Sequence, residues 1–185
     1  MDQLREDAME FSKLFNKDFI YKLDGNQEIK LIFVPGHFHH LMGLKKLTDI
    51  DKVIKSPKNS VNYIFENIYK GFITLDEIKK SSFFDEIEPR LRHFKQINRI
   101  VESADIIYEF DPALIKSEKL KAGSILFRMS NDNMYLNLLI KIDDARGNFH
   151  VPYTFIPRVS DDYTRGQKST NIQSITVEGR PVKKK

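Results

Sequence analysis

Apolar residues recur at helical spacing near the start of the chain, where Leu4, Ala8, Phe11 and Phe15 predict a short helix over Leu4 to Phe15. The period then changes. "FIYKL" (19–23) and "EIKLIFV" (28–34) flank "DGNQ", whose Asp24-Gly25 favours a tight turn, so a β-hairpin is expected. After "PG" a helix is expected from His37 to Leu47. Asn59 or Ser60 can cap the next one, "VNYIFENIYKG", which stops at Gly71. Thr74 and Glu77 form a capping-box pattern at the head of "LDEIKKS". A longer helix is predicted from Phe83 to Glu102, interrupted early by Pro89.

Beyond residue 104 the pattern becomes strand-like. "DIIYEF", "SILFRMS", "NMYLNLLIKI", "NFHVPYTFIPR" and "IQSITVE" are separated by turn chemistry such as "SNDN" and "DDARGN". The expected class is α+β: an N-terminal hairpin and helical section packed on a C-terminal, mainly antiparallel sheet of four to five strands. Period-two alternation places Ile125, Phe127, Met129, Met134, Leu136, Leu138, Ile140, Ile142, Phe149, Val151 and Phe155 toward the core. The opposite face carries Arg128, Ser130, Tyr135, Asn137, Lys141, His150, Thr154 and Arg158, a set without Asp or Glu. Arg and Lys bind phosphate oxygens, and hydroxyls donate to them, so this face is a candidate binding surface. An ordinary solvated sheet face is the alternative. Pro152 and Pro157 cannot donate ladder hydrogen bonds, which predicts an edge or a bulge in their strand. The following polar loop offers Tyr163 to stack on a base, with Arg165 and Lys168 beside it.

Composition narrows the chemistry. With 185 residues, 41% of them hydrophobic, residues 1–180 suit one domain, followed by a basic tail at 181–185. The absence of cysteine excludes disulfides, thiolate metal sites and cysteine nucleophiles, and fits a cytoplasmic protein. Neither a signal peptide nor a membrane-length apolar run is visible, so no membrane partner is expected. The net charge is +4, and the stretch from Arg146 to Lys185, with eight Lys/Arg against three Asp/Glu, carries a local +5. A basic portion on a near-neutral body points to an anionic partner, nucleic acid first.

Three of the five histidines fall in "PGHFHHLMGLKKL". His37 and His40 are three apart and share a helical face, but there is no HExxH, and a two-histidine metal site would need distant carboxylates. On that helix Phe38, Leu41 and Met42 lie on one side, His37, His40, Leu44 and Leu47 on the other. A helix apolar on both sides is sandwiched, which would shelter His40 and suit it to acid–base work or to a core role satisfied by a carbonyl.

Phe38, His40, Leu41, Gly43 and Leu44 spell F-x-H-L-x-G-L after the extended segment "IKLIFV". This resembles the signature of the phage-associated barnase–EndoU–colicin–RelE-like nucleases, fourth group of that series, and the order of elements is also similar. The resemblance implies a barnase/RelE-like nuclease core and a metal-independent endoribonuclease without cofactor, in which the RNA 2′-hydroxyl attacks phosphorus to leave a cyclic phosphate. It implies a phage or mobile-element toxin or effector, RNA as partner, and a protein inhibitor or antitoxin. The motif carries only His40 over as a catalytic residue. The sheet face adds Arg128 and Arg158 as phosphate clamps and Thr154 to position the hydroxyl, with Tyr135, Lys141, His150, Tyr163, Arg165 and Lys168 as substrate contacts. The alternatives are a non-catalytic nucleic-acid-binding module, or a metal-dependent hydrolase using His37 and His40. Oligomeric state is not read from the sequence.

Overall fold

Asp2 opens the helical part of the molecule by capping two helices at once. One carboxylate oxygen accepts from the Arg5 N–H at 3.1 Å, in the first turn of α1 (Gln3–Ser12), and the other accepts from the Leu75 N–H at 2.8 Å, at the head of α4 (Leu75–Ile78). The computed structural model describes residues 2–56, 58–115, 124–131, 133–143, 147 and 149–180, so the basic tail 181–185 lies outside the described residues. The chain divides into two compact units. Unit 1 comprises the chain up to Phe15 together with Val34–Asn98, and unit 2 comprises Asn16–Phe33 with the chain from Arg99 onward.

Unit 1 is helical. α2 (Pro35–Met42) starts on a proline, whose missing N–H is lost anyway in a first turn, and ends at Gly43, which takes the left-handed φ of 83°. The predicted extension to Leu47 is therefore a separate 3-10 turn, Leu44–Lys46. α3 (Val61–Lys70) carries the expected Ser60 cap and ends at Gly71. The Thr74–Glu77 capping box at α4 is present in both directions. The predicted long helix from Phe83 splits into α5 (Glu88–His93) and α6 (Gln96–Ser103), with Pro89 in the first turn of α5, where its ring stands in nobody's way. Phe38 of α2 sits within an aromatic cluster, its ring 4.9 Å from Phe94, 5.4 Å from Phe65 and 5.7 Å from Phe11. That packing fixes the orientation of α2.

Unit 2 is a closed barrel of seven strands: β1 (Lys17–Leu23), β2 (Glu28–Ile32), β3 (Ile106–Phe110), β4 (Ser124–Asn131), β5 (Met134–Ile142), β6 (Phe149–Arg158) and β7 (Lys168–Gly179). Their order is β1-β2-β6-β5-β4-β3-β7, returning to β1. This corrects the expected architecture of four to five antiparallel strands with a separate hairpin. The hairpin joins the same sheet, because β1 pairs antiparallel with β7 (Phe19 opposite Val177) and β2 pairs parallel with β6 (Leu31 opposite His150). Alternation along β1 reports which side is apolar, and Phe19, Tyr21 and Leu23 are indeed buried. It carries no signal for partners more than a hundred residues away, so a free hairpin and a barrel segment look alike in sequence.

The barrel interior is filled by Phe19, Tyr21, Leu31, Phe127, Leu136, Leu138, Ile140 and Phe155, each at 0% exposure. Tyr21 packs on Phe127 at 4.9 Å between centroids, and its hydroxyl donates to the Val101 carbonyl at 2.7 Å. A register shift opposite Leu139 and Ile140 places Thr154 against Leu139 but Pro152 against Ile140, leaving Tyr153 as the extra residue of a bulge. The expected bulge in the proline-bearing strand is thus real, and it has a consequence: residues before Tyr153 change faces. Ile142 opposes His150 and Lys141 opposes Val151, so His150 shares the inner side with Leu31, while Phe149 and Val151 move to the outer side.

Candidate nucleic-acid interface

The histidines of α2 have three different surroundings. His37 Nδ1 accepts the Val34 N–H at 3.2 Å and closes the first turn of the helix. His39 is 2% exposed, with Nε2 at 2.8 Å from the Val53 carbonyl, where the ring donates an N–H. Burial holds its pKa below the usual histidine value; the Val53 contact opposes this, and Lys45 and Lys55 add to the lowering. His39 is a neutral core histidine. His40 is exposed. The expectation of a sheltered His40 is corrected, because the helix stops at Gly43 and Leu44 and Leu47 do not extend a second apolar stripe along it.

Arg90 donates to the carbonyls of His40 and Leu41 at 3.3 and 3.2 Å, occupying the carbonyl end of α2. A Cβ added at Gly43 would lie 3.3 Å from Arg90 and from Ile87, so glycine serves both the turn and the close approach. Within the F-x-H-L-x-G-L segment, Phe38, Leu41 and Leu44 are at 0% exposure and Gly43 ends the helix. Packing accounts for those four residues and leaves His40 at the surface.

The outer face of β3–β6 has a different character. Arg128 lies over the Tyr135 ring at 4.8 Å and over the Tyr108 ring at 5.9 Å, and its Nη1 donates to the Thr164 hydroxyl. Arg158 stands directly across from Tyr135 in the β5–β6 ladder and lies over Tyr163 at 5.7 Å. Lys141 lies over Tyr153 at 5.2 Å, and Thr154 is half-buried on the same face. Cations therefore alternate with tyrosines across the strands. Beside Arg128 opens a cavity of about 390 Å³ whose lining includes Arg99, Ser103, Asp105, Tyr108 and Ser130. It presents two guanidinium groups and several hydroxyls to one carboxylate. Asn137, opposite Arg128, is 1% exposed and braces the face by donating to the carbonyls of Tyr135 and Ile156 at 3.2 and 3.1 Å.

Arg128, Tyr135, Lys141, Thr154 and Arg158 are thus brought to one face, and two proposed contacts are not. His150 is turned inward by the bulge, its pKa lowered by burial and pushed back up by a hydrogen bond with the Lys30 backbone. Lys168 opposes Glu109 on the inner side of the ladder and is ion-paired to it at 2.8 Å. Arg165 is exposed, paired with Asp161 at 2.5 Å, and lines one concavity together with Arg158 and Tyr163. Tyr163 is 8% exposed, stacked on Phe110 at 6.0 Å and 17°, and is a support for Arg158 more than an open platform. Sequence reading missed Tyr108, Arg99 and Thr164. The alternation in "DIIYEF" already placed Tyr108 on the face opposite Ile107, but nothing local tied it to Arg128. Among the described residues no three His, Cys, Asp or Glu side chains are grouped to hold a metal ion, and no helix is long and apolar enough to cross a membrane.

Alternating cations and aromatic rings match a polymer with a charged backbone and stackable bases, which marks a protein that works on nucleic acid. The chain belongs to the family described as phage-Barnase-EndoU-ColicinE5/D-RelE like nuclease4, whose model matches residues 3–178. No curated protein and no solved structure matches the chain.

Proposed function

We propose that the protein is an endoribonuclease that cuts RNA by attack of the 2′-hydroxyl on the adjacent phosphorus, without a metal ion. The observation that carries this reading is the interleaving of Arg128 and Arg158 with Tyr108, Tyr135 and Tyr163, which suits a single strand with unpaired bases and a ribose-phosphate backbone. In this reaction the 2′-oxygen–phosphorus bond forms and the phosphorus–5′-oxygen bond breaks. A base takes the hydroxyl proton, an acid protonates the leaving 5′-oxygen, and cations stabilise the extra charge on phosphorus. His40 is the proposed acid–base group, as the exposed member of a packed motif. Arg128 and Arg158 are proposed to hold phosphate, with Thr154 and Tyr135 near the hydroxyl and Lys141 along the backbone. The biological setting proposed is that of a phage or mobile-element toxin acting in the cytoplasm and restrained by a protein inhibitor.

A second reading, a non-catalytic RNA-binding module, is favoured by one observation: His150, the only histidine of unit 2, lies on the inner side of the sheet, so unit 2 itself supplies no imidazole to its cationic face. Incubation with end-labelled structured RNA in excess EDTA separates the readings. Cyclic-phosphate ends support the ribonuclease. Salt-sensitive binding without cleavage supports the binding module. Cleavage that EDTA abolishes and zinc or manganese restores would overturn the metal-free mechanism.

A further inference from the structure

A second concavity of unit 2 lies at the other end of the cationic row. Its volume is about 550 Å³, and Leu114, Ile115, Val159, Arg158, Ser160 and Asp162 are among the residues that line it. Two of its walls are apolar side chains left in solvent, Val159 at 78% exposure and Leu114 at 54%. Neither is explained by the small core on that face, which consists of Phe110, Leu126, Leu139 and Tyr163. The charged wall is also organised. Arg158 rests over the ring of Tyr163, and that ring is stacked in turn on Phe110, so the guanidinium is held against an aromatic column while remaining exposed. At the edge, the Ser160 hydroxyl donates to Asp162 at 2.5 Å, which orders a polar rim.

We propose that this slot receives one unpaired nucleobase of the bound RNA, stacked on the Arg158 guanidinium, flanked by Val159 and Leu114, with its polar edge toward Ser160 and Asp162. An aromatic heterocycle has the chemistry this combination asks for: a flat apolar faces-and-edges ligand with hydrogen-bonding groups around the ring. A phosphate alone would gain nothing from exposed leucine and valine, and a purely apolar ligand would leave Arg158, Ser160 and Asp162 unused. Guanidinium planes are established stacking surfaces for bases. The inference rests on the RNA reading above and adds to it a subsite for a base beside the phosphate-binding row.

The test uses the full chain and two uncleavable 2′-O-methyl oligonucleotides, alike except that one carries 2-aminopurine at a central position and the other an abasic residue there. Both affinity and the fluorescence of the 2-aminopurine are followed for the wild type, Val159→Ser and Leu114→Ser. Exposure of both positions makes folding of the variants the expected outcome, checked by thermal melting. The base-bearing strand should bind about 5- to 100-fold more tightly than the abasic one, by the usual worth of one stacked base, with quenched fluorescence. Both substitutions should erase most of that ratio while leaving abasic binding unchanged. Equal affinity for the two strands, or a ratio untouched by both substitutions, would overturn the base subsite while retained backbone binding and RNA cleavage keep the ribonuclease reading intact. If neither strand binds and RNA is not cut, the ribonuclease reading itself falls and the subsite with it.

Discussion

The end of α2 in unit 1 and the outer sheet face of unit 2 deliver polar chemistry in opposite ways. α2 is held by buried Phe38, Leu41 and Met42, its histidines are dispersed into a turn closure, a core contact and a surface position, and a single residue emerges. On the sheet, no one side chain stands alone: Arg128, Tyr135, Arg158 and Tyr163 rest on each other through rings and ladder neighbours. A site built on one emergent residue should fail completely when that residue is changed and leave the fold alone. A site spread over a face should fail in graded steps.

The largest expected effect follows from the first arrangement. His40→Ala should lower RNA cleavage by about 10²- to 10⁴-fold, the usual range for a lost general acid or base, with an unchanged melting curve. His39→Ala should do the reverse. It removes the partner of the Val53 carbonyl and opens a cavity, so a loss of about 1–3 kcal/mol in stability is expected by denaturant titration. If His39→Ala abolishes cleavage in a fully folded protein and His40→Ala does not, the assignment of roles within the helix is inverted.

The sheet face comes next. Arg128→Ala should reduce cleavage by about 10²- to 10³-fold, equivalent to about 3–4 kcal/mol of transition-state stabilisation, and Arg158→Ala by less. Arg128→Lys keeps a charge but loses the planar fork lying over Tyr135 and Tyr108, so it should recover only a small part. The salt dependence of RNA binding should fall by about one ion per arginine removed. A loss confined to kcat with unchanged salt slope would show that Arg128 does not contact phosphate.

These two regions were not equally legible in the sequence. Helix ends were readable because their causes are local: Ser60 and Gly71 bound α3, and Thr74 with Glu77 starts α4. The α2 helix was misjudged at its end because Leu44 and Leu47 continue an apolar period that Gly43 interrupts by taking φ 83°. On the sheet, alternation correctly separated Phe127, Leu136 and Leu138 from Arg128, Tyr135 and Asn137 along β4 and β5, where the ladder is regular. It failed for His150, since one extra residue at Tyr153 reverses every position before it. Barrel closure was invisible for a further reason: the partners of β1 and β2 are β7 and β6, and pairing across such separations leaves no periodic trace.

A pH effect of intermediate size should reach both regions through the stability of the fold. Asp7 is at 0% exposure with no hydrogen-bond partner for either carboxylate oxygen, and burial raises its pKa to about 7 against a usual 3.8; Lys95 pulls it back, while Glu6, Asp2 and Glu10 push it further up. The unfolded chain ionises first as pH rises, so stability is lost between about pH 4 and pH 7 and the loss is complete above it, about 4 kcal/mol in all. Asp7→Asn should flatten that slope and leave the protein about 1–3 kcal/mol more stable at pH 8, after the penalty for a buried amide. His39, whose pKa is lowered, works in the other sense: its contribution is present above the ordinary histidine pKa and declines as pH falls below it. Melting curves of Asp7→Asn at pH 5 and pH 8 check the sign. Cleavage profiles measured in that background then report the titration of the site without the unfolding limb.

The smallest expected effect discriminates best between the two sides of the sheet. Lys168 is exposed, paired with Glu109 at 2.8 Å, and set by register on the side away from Arg128. Lys168→Ala should change stability by no more than about 0.5 kcal/mol, as exposed ion pairs do, and should leave RNA affinity within about twofold of the wild type. Lys141→Ala, on the outer face over Tyr153, should weaken RNA binding by several-fold at the same salt concentration. Both substitutions remove one positive charge, so net charge alone predicts equal effects. An equal loss for the two would mean that RNA responds to the charge of the whole barrel. A larger loss for Lys168→Ala would place the RNA on the inner rim beside Glu109, and would take Arg128 out of the site.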